Sequence, residues 1–278
     1  MGDSNVVKDK PRGPFQALLG MLLKPRSTLA DLSTARRRWW WLPALLMVVA
    51  LTLHGVAFAS ANAADQQRAM EAVFESAPGD MRGASAPPQM SSGVSIVTVI
   101  RVGGQVLGTL VTWLIWAGLL YLASTFLGQN GAHFGGFFAM VAWTWLPYSV
   151  RNLVQAAYTA LSGQAIYNQG LSGLVIDKTP AAPVVSAVSA VSAVRGPLMA
   201  PGGALTAPSR GDQVLAALLT RVDIYLIWNL VLITLGVAAF ARLKTKKAAL
   251  GTLVIWAVFT IISLLPTIVG FGQGLGIF

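Results

Sequence analysis

The chain has 278 residues, of which 55% are apolar and only 11% are charged, about half the charged share of a typical soluble domain. Several apolar runs exceed about 18 residues, the length expected of a membrane-spanning helix, so the composition excludes an ordinary soluble protein and indicates a polytopic membrane protein. Cysteine is absent, which excludes disulfides and thiol chemistry, and the net charge of +10 fits basic segments on one side of a membrane better than nucleic-acid binding.

The N-terminal tail, residues 1–38, combines a basic charge with two predicted amphipathic helices. In PFQALLGMLLKPRSTLADL (14–32) apolar residues recur at helical spacing on one face: Phe15, Leu18, Leu19, Leu22 and Leu23. Pro25 is predicted to end the first helix, and Ser27 or Thr28 to cap a second short one. An apolar face beside lysines and arginines favours a position in the cytoplasmic lipid interface. Packing beneath the helical bundle is the alternative.

Five membrane spans are predicted, which makes the fold class an all-α polytopic membrane bundle: 39–61, 102–127, 134–158, 222–241 and 250–271. The tail before Trp39 holds eight Lys/Arg against three Asp, and the turn 242–249 holds four Lys/Arg and no acid. By the positive-inside rule both are cytoplasmic, so five spans place the C-terminus outside. A cleaved signal peptide is the alternative for the first span, but an unusually long segment precedes its apolar core.

A long external loop, residues 160–221, separates the third span from the fourth. It contains the repeat VSAVSAVSAV (185–194) and several prolines, a composition that buries too little apolar surface to offset its ordering entropy. The composition predicts a linker without a catalytic constellation. The chain is therefore divided into the tail and a transmembrane domain, 39–278, that includes this linker.

Three charged residues lie at the ends of predicted spans: Arg101, Arg151 and Asp223. The predicted topology places all three near the outer membrane boundary. A charge at mid-bilayer costs roughly 2.5–3.5 kcal/mol on insertion scales, so such groups extend to the interface or pair. We predict that Asp223 pairs with Arg151 or Arg101 and ties helix ends together, with separate interfacial positions as the alternative. A proton relay is disfavoured because no second buried carboxylate is available to accept the proton.

Several uncharged residues are predicted to shape the bundle. Pro147 should kink the third span, and a gating role is the alternative. Gly104 and Gly108 form a small-xxx-small face that suits close helix packing, within the chain rather than between two copies. His54 is predicted to be buried and hydrogen-bonded rather than a metal ligand. Asn229 is predicted to bond across helices, with a polar lining as the sharper alternative.

One pattern runs through three stretches of the chain: LLKPRSTLADL (22–32), LASTFLGQNGAHFGGFFAMVAWTWLPYSVRNL (122–153) and VDIYLIWNLVLITLGVAAFARLKTKKAALGTLVIW (222–256). Its elements are a proline ahead of the first span, an aromatic–x–x–Leu–Pro stretch, an Asp followed by an aromatic and a Trp, and a Lys-Ala pair after a basic turn. Here those are Pro25, Trp143, Leu146, Pro147, Asp223, Tyr225, Trp228, Lys247 and Ala248. Together the stretches resemble the Yip family (Ypt-interacting proteins), in its bacterial branch. The long Ala/Pro/Val loop departs from that pattern.

The resemblance implies a five-helix membrane protein with a cytoplasmic N-terminal segment and no known catalytic residues. The sequence itself offers no nucleophile–base pair, carboxylate pair or metal cluster, which predicts a non-enzyme without cofactor or metal. Eukaryotic Yip proteins bind Rab GTPases, and some bacterial relatives occur alongside ABC-type exporters. The resemblance therefore implies an accessory protein of the bacterial inner membrane whose partners are the lipid bilayer and exporter subunits. A homo-oligomer stays open, and nucleic acid is not an expected partner.

The alternative function is an oligomeric permease or lipid-transport component, which needs a polar path through the bundle. The candidate linings are Gln105, Asn152, Gln155, Asn229, Arg101, Arg151 and His54. A continuous polar groove would favour transport. A dry core with an exposed small-residue face would favour the interaction role.

Overall fold

The fold is known from a computed structural model that describes most of the chain: residues 13–34, 39–75, 95–126, 133–167, 170–171 and 210–269. In these residues nearly all of the backbone is helical. The helices are α1 (Pro14–Leu23), α2 (Pro25–Thr34), α3 (Trp41–Glu75), α4 (Ile96–Phe126), α5 (Phe134–Thr144), α6 (Leu146–Ser162), α7 (Arg210–Leu219), α8 (Ile224–Phe240) and α9 (Thr245–Val269). The predicted helical membrane bundle is confirmed.

The membrane helices match the predicted spans unequally. Among the described residues, three segments are long and apolar enough to cross a bilayer: Trp41–Ala72, Ile96–Phe126 and Thr245–Leu265. The fourth predicted span is the 17-residue apolar helix α8, and the third is divided between α5 and α6. The count of five spans therefore stays a prediction. Helix α7 lies inside the predicted linker, whereas the VSAVSAVSAV repeat falls outside the described residues.

The two N-terminal helices meet at a proline elbow. Pro25 is the first residue of α2, a position that suits proline because the N–H it lacks has no helical partner there. The predicted cap at Ser27 or Thr28 is wrong: both hydroxyls lie inside α2 and donate to the Lys24 carbonyl, at 3.1 and 3.0 Å. Helix α2 packs against α5 and buries Leu29, so the pair is fixed to the bundle.

Close contacts divide the chain into two compact units, which are described separately. Unit 1 consists of Met1–Met47, Thr109–Tyr148 and Ile227–Thr260, and unit 2 of Val48–Gly108, Ser149–Leu226 and Ile261–Phe278. The described core of unit 1 is aromatic: the Trp116 ring lies 5.8 Å from that of Trp145 and 6.0 Å from that of Phe259. A Cβ atom at Gly236 would lie 2.7 Å from Met140 Sδ, so α8 approaches α5 closely because residue 236 has no side chain.

The third predicted span is interrupted at Trp145, two residues before Pro147. Pro147 has no N–H to donate, and the N–H of Tyr148 donates to the Trp145 carbonyl at 3.0 Å rather than one residue further back. The Thr144 carbonyl thus loses its usual helical donor within a fully buried stretch. Pro147 therefore alters the helix as predicted, and the alteration creates a buried acceptor that needs another partner.

Candidate functional site

The central contact of unit 2 is an ion pair between α6 and the start of α8. Arg151 Nη1 lies 3.0 Å from Asp223 Oδ2, with side chains only 17% and 12% exposed. The other carboxylate oxygen, Oδ1, accepts a hydrogen bond of 2.7 Å from the Leu226 N–H and thereby caps α8. The predicted pairing of Asp223 is confirmed, with Arg151 as the partner. One carboxylate thus caps a helix and neutralises an arginine.

The remaining arginine of the predicted trio makes a different contact. The Arg101 guanidinium carbon lies 4.8 Å from the centre of the Phe58 ring, the geometry of a cation–π interaction. Arg101 is exposed, so this contact is worth about 0.5–1 kcal/mol. Arg101 therefore joins α4 to α3 in unit 2 and takes no part in the ion pair.

Tyr167, which follows α6, attaches this segment to α3. Its hydroxyl lies 3.0 Å from Asn62 Oδ1 and 3.1 Å from Asp65 Oδ2, so it donates to one of two acceptors, and its ring packs edge-on 5.8 Å from Phe58. Burial, the hydrogen bond to Asp65 and the charge of that carboxylate raise the pKa of Tyr167 to about 12. The tyrosine is therefore a stable donor over the physiological range. Sequence analysis missed it because it lies in the predicted linker.

Ionisation of Tyr167 provides a pH test of this contact. The pKa is raised above the ordinary value of 10.0 to about 12, so the contact stabilises the folded protein below pH about 10 and is lost as the pH rises through about 12. Subtracting the ultraviolet titration of Tyr167→Phe from that of the parent should isolate a tyrosinate forming near pH 12. Asp65→Asn should lower that pKa, and an unchanged pKa would show that Asp65 does not contact the hydroxyl.

His54 lies inside unit 2 beside this aromatic group. It is 8% exposed and its ring centre lies 6.2 Å from that of Phe58, so the predicted burial is confirmed. The expected hydrogen bond is missing at Nδ1, which has no partner among the described residues. The described residues hold no group of three or more His, Cys, Asp or Glu side chains that could bind a metal ion.

Helix α6 carries two further buried polar atoms without partners in the described structure, Gln155 Oε1 and Thr159 Oγ1. They follow Arg151 at intervals of four residues and so lie on one face of the helix. Buried polar groups of this kind are usually satisfied by water. Among the described residues unit 1 also holds unpartnered buried polar atoms, Trp113 Nε1 and Thr252 Oγ1, so such atoms are not confined to unit 2.

In unit 1 the buried acceptor left by the helix interruption has a partner. Asn229 Nδ2 on α8 donates a hydrogen bond of 2.7 Å to the Thr144 carbonyl, and Asn229 is 2% exposed. The predicted cross-helix bond is confirmed, and it gives the Thr144 carbonyl the donor that the interrupted helix does not supply. Trp228, its neighbour in the family pattern, is half-buried on α8.

The predicted packing of the glycine face on α4 differs from the structure. A Cβ atom built at Gly104 would have nothing within 4 Å, and the same is true of Gly103. Both glycines are exposed, and Gly108 is half-buried. The expectation of close intramolecular packing at Gly104 is wrong, because the apolar side of α4 around it faces outward, with Ile100 69% and Leu107 63% exposed.

Comparison with known proteins gives one match. The sequence model described as the Yip1 domain matches residues 19–265, a range that begins in α1 and ends in α9. No curated protein and no solved structure matches the chain.

Proposed function

The chain belongs to the Yip1 domain family, and we propose from that premise that it is a non-enzymatic accessory protein that binds another integral membrane protein. The observation that carries the proposal is the open glycine face of α4. Gly103 and Gly104 lie between the exposed side chains of Ile100 and Leu107, so they form a shallow notch in an apolar surface. Small residues let a second helix approach closely, which is how membrane helices associate without a hydrophobic driving force.

The described interior of unit 1 supports this role over a transport path. Its largest buried side chains include Trp113, Trp143 and Phe137. Asn229, one of the candidate residues for lining a transport path, donates its hydrogen bond to the Thr144 carbonyl. A polar side chain whose hydrogen bond completes an interrupted helix is a poor candidate for solute contact, since giving up that bond would leave a buried carbonyl unpaired.

Charge supports a cytoplasmic position for unit 1. Its described charged residues are six cations and one acid: Lys24, Arg26, Arg242, Lys244, Lys246, Lys247 and Asp31. In unit 2 the described charges are closer to balance: Arg68, Arg101, Arg151 and Arg221 against Asp65, Glu71 and Asp223. By the positive-inside rule the proposed N-terminus is cytoplasmic. Resemblance to bacterial Yip proteins makes an ABC-type exporter in the cytoplasmic membrane the proposed partner.

Filling the notch should remove the partner without unfolding the protein. A Cβ atom at residue 104 would have no described atom within 4 Å, so the fold should tolerate Gly104→Leu, whereas a partner helix would be pushed away. A clash of about 1.4 kcal/mol would lower association about tenfold. The measurement is quantitative mass spectrometry of proteins that co-purify from the native host in mild detergent.

Gly251→Leu on α9 is the matched control, because a Cβ atom there also meets nothing within 4 Å. Full partner recovery from both variants would contradict the proposed surface. Loss of partners from both variants would point to a general effect of replacing a helical glycine with leucine.

A second candidate, an oligomeric permease or lipid-transport component, is favoured by the unpartnered polar atoms of unit 2: His54 Nδ1, Gln155 Oε1 and Thr159 Oγ1. Such atoms can hold water along part of a path. Lipid or solute flux in proteoliposomes that contain only this protein would support the second candidate and count against an accessory role.

A further inference from the structure

Helix α1 buries one face, which carries Ala17 and Met21, and leaves an opposite apolar face of Phe15, Leu19 and Leu23 uncovered. Ala17 and Met21 are 3% and 0% exposed, whereas Phe15 is 71%, Leu19 59% and Leu23 77% exposed. Exposing this much contiguous apolar surface to water is unfavourable, at roughly 25 cal/mol per Å². The outer face of α1 therefore calls for an apolar cover.

Basic residues adjoin this face at the elbow between α1 and α2. A shallow groove of about 530 Å³ is lined by Lys24, Pro25, Arg26, Ser27 and Ala30. The groove is lined mainly by apolar atoms, and the exposed side chains of Lys24 and Arg26 place two positive charges beside it. Phosphate oxygens are natural partners for such a pair, so the apolar face and the groove together match a lipid with an acyl chain and an anionic headgroup.

The surroundings of α2 place the elbow at headgroup depth. Helix α2 packs against α5, and on α5 the Phe138 ring lies 5.5 Å from Trp40. Trp40 and its neighbour Trp41 are 47% and 45% exposed at the start of the first long apolar helix. Tryptophans in this position mark the boundary between headgroups and acyl chains. This contact favours lipid over a partner protein as the cover of α1.

We propose that α1 is a membrane-surface arm that binds anionic phospholipid. The outer face of Phe15, Leu19 and Leu23 lies among the acyl chains just below the headgroups, and Lys24 and Arg26 bind lipid phosphates in the elbow groove. Apolar insertion and charge attraction add, and neither alone gives firm attachment. The arm therefore responds to the anionic lipid content of the leaflet, while α2 keeps it attached to α5.

The absence of cysteine allows a direct test in the full chain. Leu19→Cys, labelled with the polarity-sensitive dye NBD, is reconstituted in nanodiscs of phosphatidylcholine with or without phosphatidylglycerol. With the anionic lipid we expect a blue-shifted emission and strong quenching by lipids spin-labelled near the headgroup. The matched label at Glu71→Cys, exposed near the polar end of α3 and ten residues beyond the first predicted span, should shift and quench less.

Charge substitutions test the groove. Neutralising Lys24 or Arg26 with Gln should lower the ratio of inserted to free α1 about fivefold each, the equivalent of roughly 1 kcal/mol per cation at an anionic surface. The double variant Lys246→Gln/Lys247→Gln removes from the basic turn of unit 1 the same two charges as Lys24→Gln/Arg26→Gln removes from the elbow, and it should leave insertion unchanged. If the substitutions at the elbow and in the basic turn lower insertion equally, lipid binding at the elbow groove is wrong and only the general surface charge attracts the lipid.

Three other results would overturn the proposal. Absence of quenching by spin-labelled lipid in both nanodisc compositions would show that α1 is not in the membrane. A blue shift that appears only when nanodiscs hold more than one copy would identify a second chain as the cover. Added inorganic phosphate should not reproduce the effect of anionic lipid, since it supplies no acyl chain, and if it did the lipid assignment would be wrong.

Discussion

Arg151→Glu is expected to lower the free energy of unfolding by about 3–5 kcal/mol, because it leaves the Asp223 carboxylate buried opposite a second negative charge. The native pair is separated by 3.0 Å and little exposed, so water replaces the lost partner poorly. Asp223→Arg should cost about 1 kcal/mol more, since it also removes the cap of α8. The double exchange should recover the ion pair but not the cap.

Asp223→Asn separates the two roles of this carboxylate. Asparagine is as good a helix cap as aspartate, so the bond to the Leu226 N–H should persist while the charge opposite Arg151 disappears. The loss in this variant measures the ion pair alone. The further loss in Asp223→Ala measures the cap, at about 1 kcal/mol.

Unfolding of the purified protein in mixed detergent micelles, followed by the fluorescence of its nine tryptophans, gives these values. Arg101→Glu is the control, because this exposed arginine lies over the Phe58 ring outside the ion pair, and its loss should cost about 1 kcal/mol or less. If the losses of Arg151→Glu and Asp223→Arg simply add in the double exchange, the two residues do not stabilise each other.

The ion pair could be predicted because charges are scarce in this sequence. Few ionisable residues lie within or beside apolar spans, and each must find a partner or reach the interface. Three residues in consecutive predicted spans therefore left only two candidate pairs. The choice of Arg151 over Arg101 needed the packing of α6 against the start of α8, which the hydropathy pattern does not contain.

Features set by distant or competing contacts could not be predicted. Tyr167 donates to acceptors 105 and 102 residues away, and its own segment has the composition of a linker. Ser27 and Thr28 are residue types that often cap helices. Because Pro25 can itself begin a helix, both lie inside α2, and their hydroxyls donate to the Lys24 carbonyl instead. Gly104 fits a packing motif whether the second helix belongs to this chain or to another.

For the proline in the third span, the local effect on the helix could be predicted, whereas the distant residue that bonds to the altered helix could not. Its missing N–H is a local fact, so an altered helix could be predicted from Pro147 alone. The partner of the Thr144 carbonyl, which the Tyr148 N–H leaves, could not be predicted, since Asn229 lies 85 residues beyond Thr144. A cross-helix bond for Asn229 could be predicted from the sequence, and only the fold shows that its acceptor is the Thr144 carbonyl at the interruption.

Asn229→Leu should therefore cost about 1–3 kcal/mol, the penalty for leaving the buried Thr144 carbonyl without a donor. Leucine has the same branched side-chain skeleton as asparagine but is larger, so overpacking adds to this loss in both backgrounds compared below. In a Pro147→Ala background the Tyr148 N–H can return to the Thr144 carbonyl. Asn229 then becomes the unsatisfied group, and the same Asn229→Leu substitution should be neutral or stabilising.

The effect of Asn229→Leu on the free energy of unfolding thus tests whether Asn229 compensates for Pro147 or only happens to lie beside it. If Pro147 alone interrupts the helix, a double-mutant cycle on 147 and 229 should give a coupling of about 1–3 kcal/mol, measured by unfolding in mixed micelles. If the buried packing of Trp145 holds the interruption open without proline, Asn229→Leu will cost the same in both backgrounds. Additive losses would thus assign the interruption to packing, and non-additive losses would show that Asn229 is required because Pro147 is present.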